Sequence, residues 1–166
     1  MDRVRVSVLI IFALLSSAVA ATAAGYGLGS RVSRVTLEDQ FGAKHTIDDR
    51  VHVIVLTRDM DAGDVIKAAL GHDGKALLDK YRAVYVSDLS SMPSLVRQYL
   101  ALPKYKERTY PMLLDTQGEF SARLPSRDKN ATLVFLDGLK IVAVEYVTNP
   151  ATLVPTLQAP KRFAPR

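Results

Sequence analysis

The apolar positions of the chain fall into runs and stripes whose period changes along its length. Val51-His-Val-Ile-Val-Leu-Thr57 is almost continuously apolar and β-branched, the pattern of a strand covered on both faces of a sheet. From Asp61-Ala-Gly-Asp64 onward the period becomes helical. Val65, Ile66, Ala69 and Leu70 share one face, and Leu77, Leu78 and Tyr81 continue it beyond Gly71-His-Asp-Gly74, where two glycines predict a break. A second strand, Ala83-Val-Tyr-Val-Ser87, precedes a second helix from about Pro93 to Leu102, with Ser91 as N-cap and Leu95, Val96, Tyr99, Leu100 and Leu102 on its apolar side. Strand, helix, strand, helix predicts parallel crossovers.

The flanking segments read as antiparallel. Val32–Ile47 predicts an edge hairpin around Asp39-Gln-Phe-Gly42. Tyr110-Pro-Met-Leu-Leu-Asp115 is a short extended run, and Glu119–Leu124 is compatible with a short helix. Thr132–Leu136 and Lys140–Val147 flank Asp137-Gly138, a strong hairpin signal, and a last helix is expected from Asn149 or Pro150 to Leu157. The fold class that follows is α/β: a mixed central sheet flanked by helices, with an N-terminal edge hairpin and a C-terminal β-hairpin plus helix.

The N-terminus changes the picture of where the protein works. Charged Met1-Asp-Arg-Val-Arg5 leads into an apolar stretch from Val6 to Ala20 and then small residues through Ala24, the layout of an export signal. Cleavage is expected between Ala20 and Gly25, and the competing reading is a retained membrane anchor. The chain then divides into a signal peptide (1–24), a flexible lead (25–34), one domain (35–158) and a basic tail (159–166). A periplasmic location is expected, or an anchored one facing the periplasm.

With 166 residues, 48% of them hydrophobic and 23% charged, the chain has room for one globular core. Its formal charge of +5 falls to +4 without the signal, an excess too small and scattered for nucleic-acid binding. The cysteine count is zero, which excludes disulfides, thiolate nucleophiles and thiolate metal sites. No phosphate loop, serine-nucleophile motif, zinc signature or dinucleotide fingerprint is present.

Three stretches, Leu37–Ile47, Tyr110-Pro-Met-Leu-Leu-Asp-Thr-Gln-Gly-Glu119 and Ala131–Val142, in this order and spacing, resemble the peroxiredoxin branch of the thioredoxin-like superfamily over roughly residues 35–158. The resemblance implies a thioredoxin-like fold. It also implies a reactive cysteine in the loop after the first core strand, where a helix N-terminus would stabilise a thiolate. That loop here reads Thr57-Arg-Asp-Met-Asp-Ala-Gly-Asp64, and the position of the superfamily's cis-proline reads Asn130-Ala131. Both halves of the redox site are missing, so the expectation is an exported, degenerate, non-enzymatic member without a cofactor.

The candidate binding surface is the rim of that vacated site: Arg58, Asp59, Met60 and Asp61, with Tyr110 and Pro111 nearby. Lys104, Lys106 and Arg108 form a basic patch, read as a solvated loop suited to an acidic partner or lipid head group. Asp59, Asp61 and Asp64 invite a Ca²⁺ reading, but the spacing fails the EF-hand pattern, and helix capping explains the same acids. His45, His52 and His72 fall on separate elements and are not expected to converge. The expected partner is another envelope protein or a small ligand, with no nucleic acid and with membrane contact only through a retained signal segment. Two alternatives stay open: a metal carrier or cysteine-independent enzyme using loop 57–64, and docking to a thiol redox system in trans.

Overall fold

The computed structural model describes residues 25–158, so the signal segment and the basic tail expected from the sequence lie outside the described residues. Seven strands form one sheet: β1 (Val35–Asp39), β2 (Lys44–Ile47), β3 (Val53–Thr57), β4 (Ala83–Asp88), β5 (Leu113–Asp115), β6 (Ala131–Asp137) and β7 (Lys140–Val147). Their order is β2-β1-β5-β4-β3-β6-β7. β3, β4 and β5 are parallel, while the hairpins β1–β2 and β6–β7 join antiparallel on either side. The mixed α/β sheet of the sequence reading is present, and every residue of β3 is buried.

β3 shows how one strand serves two cores. Val53 and Val55 face a cluster with Ala62, Ile66, Leu70, Tyr85, Leu133 and Leu153, whereas Ile54 and Leu56 face a second cluster with Val32, Val86, Leu113, Val134 and Leu136. The first face is covered by helices. α1 (Met60–Leu70) buries Ala62, Ile66 and Leu70, α2 (Gly74–Lys80) buries Leu78, and α5 (Leu153–Gln158) buries Leu153 and Leu157. α1 starts one residue before the expected position, because the Asp59 carboxylate caps it by accepting from the Ala62 N–H at 2.8 Å. The predicted break is real: Gly71 ends α1 with a φ of 50°. Gly74 is required by contact, since a Cβ there would collide with the Tyr110 ring and the Leu70 side chain.

Three expectations need correction. The lead 25–34 is docked rather than flexible. Tyr26 N–H donates to the Arg123 carbonyl, Gly29 and Val32 N–H donate to Ile141 and Leu139, and Tyr26 and Val32 are buried on the second sheet face. Val32 accordingly belongs beside β7, not in the first hairpin, as the Arg31 to Lys140 bridge shows. The β6–β7 turn is centred on Gly138 and Leu139, both with positive φ (51° and 71°), one residue beyond the Asp-Gly pair. A leucine tolerates that conformation here because its side chain is buried in the second core, while its carbonyl holds Val32.

The third correction concerns the second crossover. Its helix runs over 94–106 as α3 (Ser94–Val96), a π-helical turn (Arg97–Ala101) and α4 (Leu102–Lys106). It is longer than expected, and no side chain caps it. None of its residues is buried, and Leu95, Tyr99 and Leu100 are 68%, 66% and 61% exposed. The apolar stripe that predicted a core-facing helix therefore faces outward or into a cleft. Lys104 and Lys106 sit on this helix, not in a loop, while Arg108 lies in the loop that follows it.

Candidate binding cleft

The C-terminal ends of β3 and β4 carry side chains into a cleft of about 390 Å³ between α1 and the 94–106 helix. One wall comes from Thr57, Arg58, Asp59, Met60, Gly63 and Lys67, and the opposite wall from Val96, Leu100, Lys104 and Tyr105. Tyr85, Asp88, Tyr110 and Met112 form the floor. Of the predicted rim residues, the cleft gathers Arg58, Asp59, Met60 and Tyr110, while Asp61 and Pro111 are not among its lining. It also draws in Lys104 and Arg108 from the basic patch, but not Lys106.

The polar groups of the loop after β3 are already engaged. Arg58 Nε donates to Asp88 Oδ2 at 3.0 Å, and its guanidinium reaches Ser126 Oγ at 3.1 Å. The other Asp88 oxygen accepts from the Ser90 N–H and hydroxyl at 3.0 and 2.7 Å. Asp59 uses both oxygens, one as the α1 cap and the other accepting from the Lys129 N–H at 2.8 Å. Asp61 faces Lys129 Nζ at 3.6 Å. Asp59 and Asp61 therefore act as helix and loop fasteners. Among the described residues, no three His, Asp or Glu side chains gather as a metal ion would need. Thr57 Oγ1 lies 3.1 Å from the Tyr85 hydroxyl, both buried, and burial pushes the Tyr85 pKa well above the ordinary phenol value. Neither hydroxyl is poised as a nucleophile.

The floor is held in place by a residue the sequence reading passed over. Gln40, in the β1–β2 turn, donates from Nε2 to the Tyr110 carbonyl at 2.8 Å and accepts the Met112 N–H on Oε1 at 2.8 Å. Its amide replaces strand pairing for the segment that leads into β5. The turn is fixed in its own right: Asp39 accepts from the Phe41 and Ala43 N–H and lies 2.8 Å from His45 Nε2. Burial alone would raise the Asp39 pKa, but the His45 contact and the two N–H bonds outweigh it, so the carboxyl lies below its usual value. At the far end of β5, Asp115 accepts from the Gly118, Phe120 and Ser121 N–H at 2.8, 3.1 and 2.7 Å. Gly118 lies against Ser90 with a φ of 74°, a position no side chain could occupy. The aromatic-Pro-hydrophobic-Asp segment is thus a structural fastener at both ends.

Tyr85 and Tyr110 stack at a tilt with centroids 6.2 Å apart, and Met112 is buried beside them in the first core. Tyr85, Ser87, Asp88, Met92, Val96, Leu100 and Met112 were not anticipated as cleft residues. For Tyr85 and Met112 the available signal was their strand alternation, which marks burial and not what lies above.

No protein-family model matches the sequence, and no curated protein matches it. Solved structures do. Peroxidoxin BcpB from Mycobacterium tuberculosis superposes with a TM-score of 0.54 at 20% identity, covering 84% of this chain and 98% of that one. A provisionally assigned protein disulfide isomerase from Bacteroides thetaiotaomicron gives 0.55 at 19% identity, with 82% and 89% covered. A peroxiredoxin-like protein from Aquifex aeolicus gives 0.51 at 9% identity, with 84% and 88% covered. The chain has the thioredoxin-like fold of these peroxiredoxin-like and thioredoxin-like oxidoreductases, and it builds that fold without a cysteine.

Proposed function

We infer that this protein is a non-catalytic thioredoxin-like protein of the cell envelope, a binding or accessory scaffold whose working face is the cleft between α1 and the 94–106 helix. The carrying observation is that the cleft stays open at the C-terminal ends of parallel strands, where open α/β sheets receive ligands, although the chain has no cysteine to supply a thiolate there. The position of the missing thiolate is occupied by a capping aspartate, a hydroxyl tied to Tyr85 and an arginine tied to Asp88. The charged, then apolar, then small-residue layout of residues 1–24, that of an export signal, supports the envelope setting.

Three measurements test this reading. The purified protein should consume hydroperoxide and reduce insulin no faster than buffer containing the same reductant, and turnover above that rate would overturn it. A photo-crosslinking residue placed at Met60, 81% exposed on the rim, should give adducts in the cell, while the same group at Thr36 on the edge hairpin should not. Equal labelling at both positions would mean that the cleft is not the working face. N-terminal sequencing of the protein from the periplasmic fraction should begin within residues 21–25.

A further inference from the structure

The cleft carries an electrostatic feature that the fold leaves unanswered. Arg108 lines it, the Arg108 Nε is buried without a hydrogen-bond partner, and none of the ion pairs among the described residues includes this guanidinium. Its charge reaches the Tyr85, Tyr105 and Tyr110 hydroxyls, lowering the pKa of each against the upward push of burial. Cation and phenols thus stand together at one end of the cleft. The tyrosine hydroxyls at positions 105 and 110 donate to no other described side chain, so they are available to an incoming acceptor. Of the other charges on the lining, Arg58 is matched by Asp88, and Asp59 is spent on N–H groups. Lys67, Lys104 and Asp64 remain, giving four basic against three acidic residues in all. Beside Thr57, Ser87 and Ser91, the uncharged lining includes the apolar and adaptable Met60, Met92, Val96, Leu100 and Met112.

We propose that the cleft binds a small organic monoanion, a carboxylate with an apolar tail, its head group on Arg108 and the tyrosine hydroxyls and its tail between Met60 and the Val96 and Leu100 side of the 94–106 helix. Three observations favour this class. A guanidinium presents a planar fork that matches a carboxylate. A single surplus positive charge suits a monoanion better than a phosphate ester. A volume of about 390 Å³ lies at the lower end for small-molecule sites, too small for a folded partner's element. Such a tail would also cover Val96 and Leu100, which are 40% and 61% exposed.

Like the binding role from which it follows, this ligand class is tested on the protein as purified from cells. Calorimetry gives affinity and stoichiometry, and with no tryptophan in the chain the emission comes from its seven tyrosines, of which Tyr85, Tyr105 and Tyr110 line the cleft. Decanoate, below its micellar concentration, should bind one to one, and decanol at least ten-fold more weakly. R108Q should bring decanoate down to the level of decanol, R108K should restore part of the difference, and L100N should weaken both ligands alike. Equal affinity of the native protein for decanoate and decanol would overturn the proposal even if R108Q failed to fold. Unchanged decanoate affinity in a folded R108Q would overturn it too. Binding of neither ligand, with site-specific crosslinking at Met60 retained, would remove the ligand class and leave the scaffold reading standing. Peroxide turnover by the same preparation would remove the scaffold reading itself.

Discussion

The two parallel crossovers of the sheet are built from segments of similar apolar content and end in opposite states. Between β3 and β4, α1 is capped by Asp59, ends on Gly71 and sinks Ala62, Ile66 and Leu70 into the first core. Between β4 and β5, the 94–106 helix has no side-chain cap, contains a π-helical turn and sinks nothing. The first crossover stabilises the fold. The second encloses a cleft, and its own packing contributes little to stability. Its ends are secured by other means, by the β4 strand on one side and by Gln40 holding Tyr110 and Met112 on the other. A helix relieved of core packing can keep apolar side chains for something outside the fold, and π-helical turns recur at such functional positions.

The contrast can be broken most directly in the first crossover. Ile66 is completely buried, and I66A should cost about 2–5 kcal/mol through lost transfer energy and the cavity left under the sheet. Urea titration would read this as a lower midpoint at unchanged slope. A loss below about 1 kcal/mol would mean that α1 is no better packed than its counterpart. Second in size is Gln40. In Q40A the Tyr110 carbonyl and the Met112 N–H lose their partner in a buried setting, at a cost of about 1–3 kcal/mol. The same variant should loosen the cleft floor, visible as a change in tyrosine emission intensity, whereas I66A should lower stability with less change at the cleft.

A smaller effect is expected at Asp59, whose substitution isolates the cap. D59A removes the acceptor for the Ala62 and Lys129 N–H groups and should cost about 0.5–2 kcal/mol. D59N, which keeps one acceptor oxygen, should recover part of the loss. Equal losses in the two variants would show that the carboxylate's charge near the start of α1, and not its hydrogen bonds, is what matters.

These differences set the limits of what could be read from the residues alone. β3 was legible because a run of five buried residues has a single plausible environment. The start of α1 and the break at Gly71 were legible to within a residue, because caps and glycines act locally. The 94–106 helix was legible as a helix but not as an exposed one. Periodicity states which side chains share a face; what that face meets depends on elements distant in sequence. The cleft shows the same limit. Arg58, Asp59, Met60 and Tyr110 were placed at the rim through the fold resemblance, while Arg108 was assigned to a separate basic loop. Only the path of the chain after α4 brings it under the tyrosines. Gln40 was hidden for a related reason: a glutamine in a turn reads as solvated until the backbone it serves, seventy residues away, is known to lie beside it.

The least perturbing substitutions sharpen the comparison furthest. Leu95 and Tyr99 are on the 94–106 helix but outside the cleft lining, and both are mostly exposed. If the helix adds little core packing, L95A and Y99A should each change stability by no more than about 0.5 kcal/mol, although the same truncation at a comparable stripe position of α1 is costly. Amide exchange supplies the independent readout. A helix with few buried contacts, here chiefly Tyr105 against the first core, opens locally, so its amides should exchange well before those of α1, and their protection should not follow the global stability as urea is added. Saturating decanoate should slow exchange in 96–105 and leave the Leu95 and Tyr99 variants' affinities near that of the native protein, because the tail would rest on Val96 and Leu100. Protection of the unliganded helix equal to that of α1 would refute the contrast from which the cleft's role was argued, since the helix would then be held by contacts of core strength.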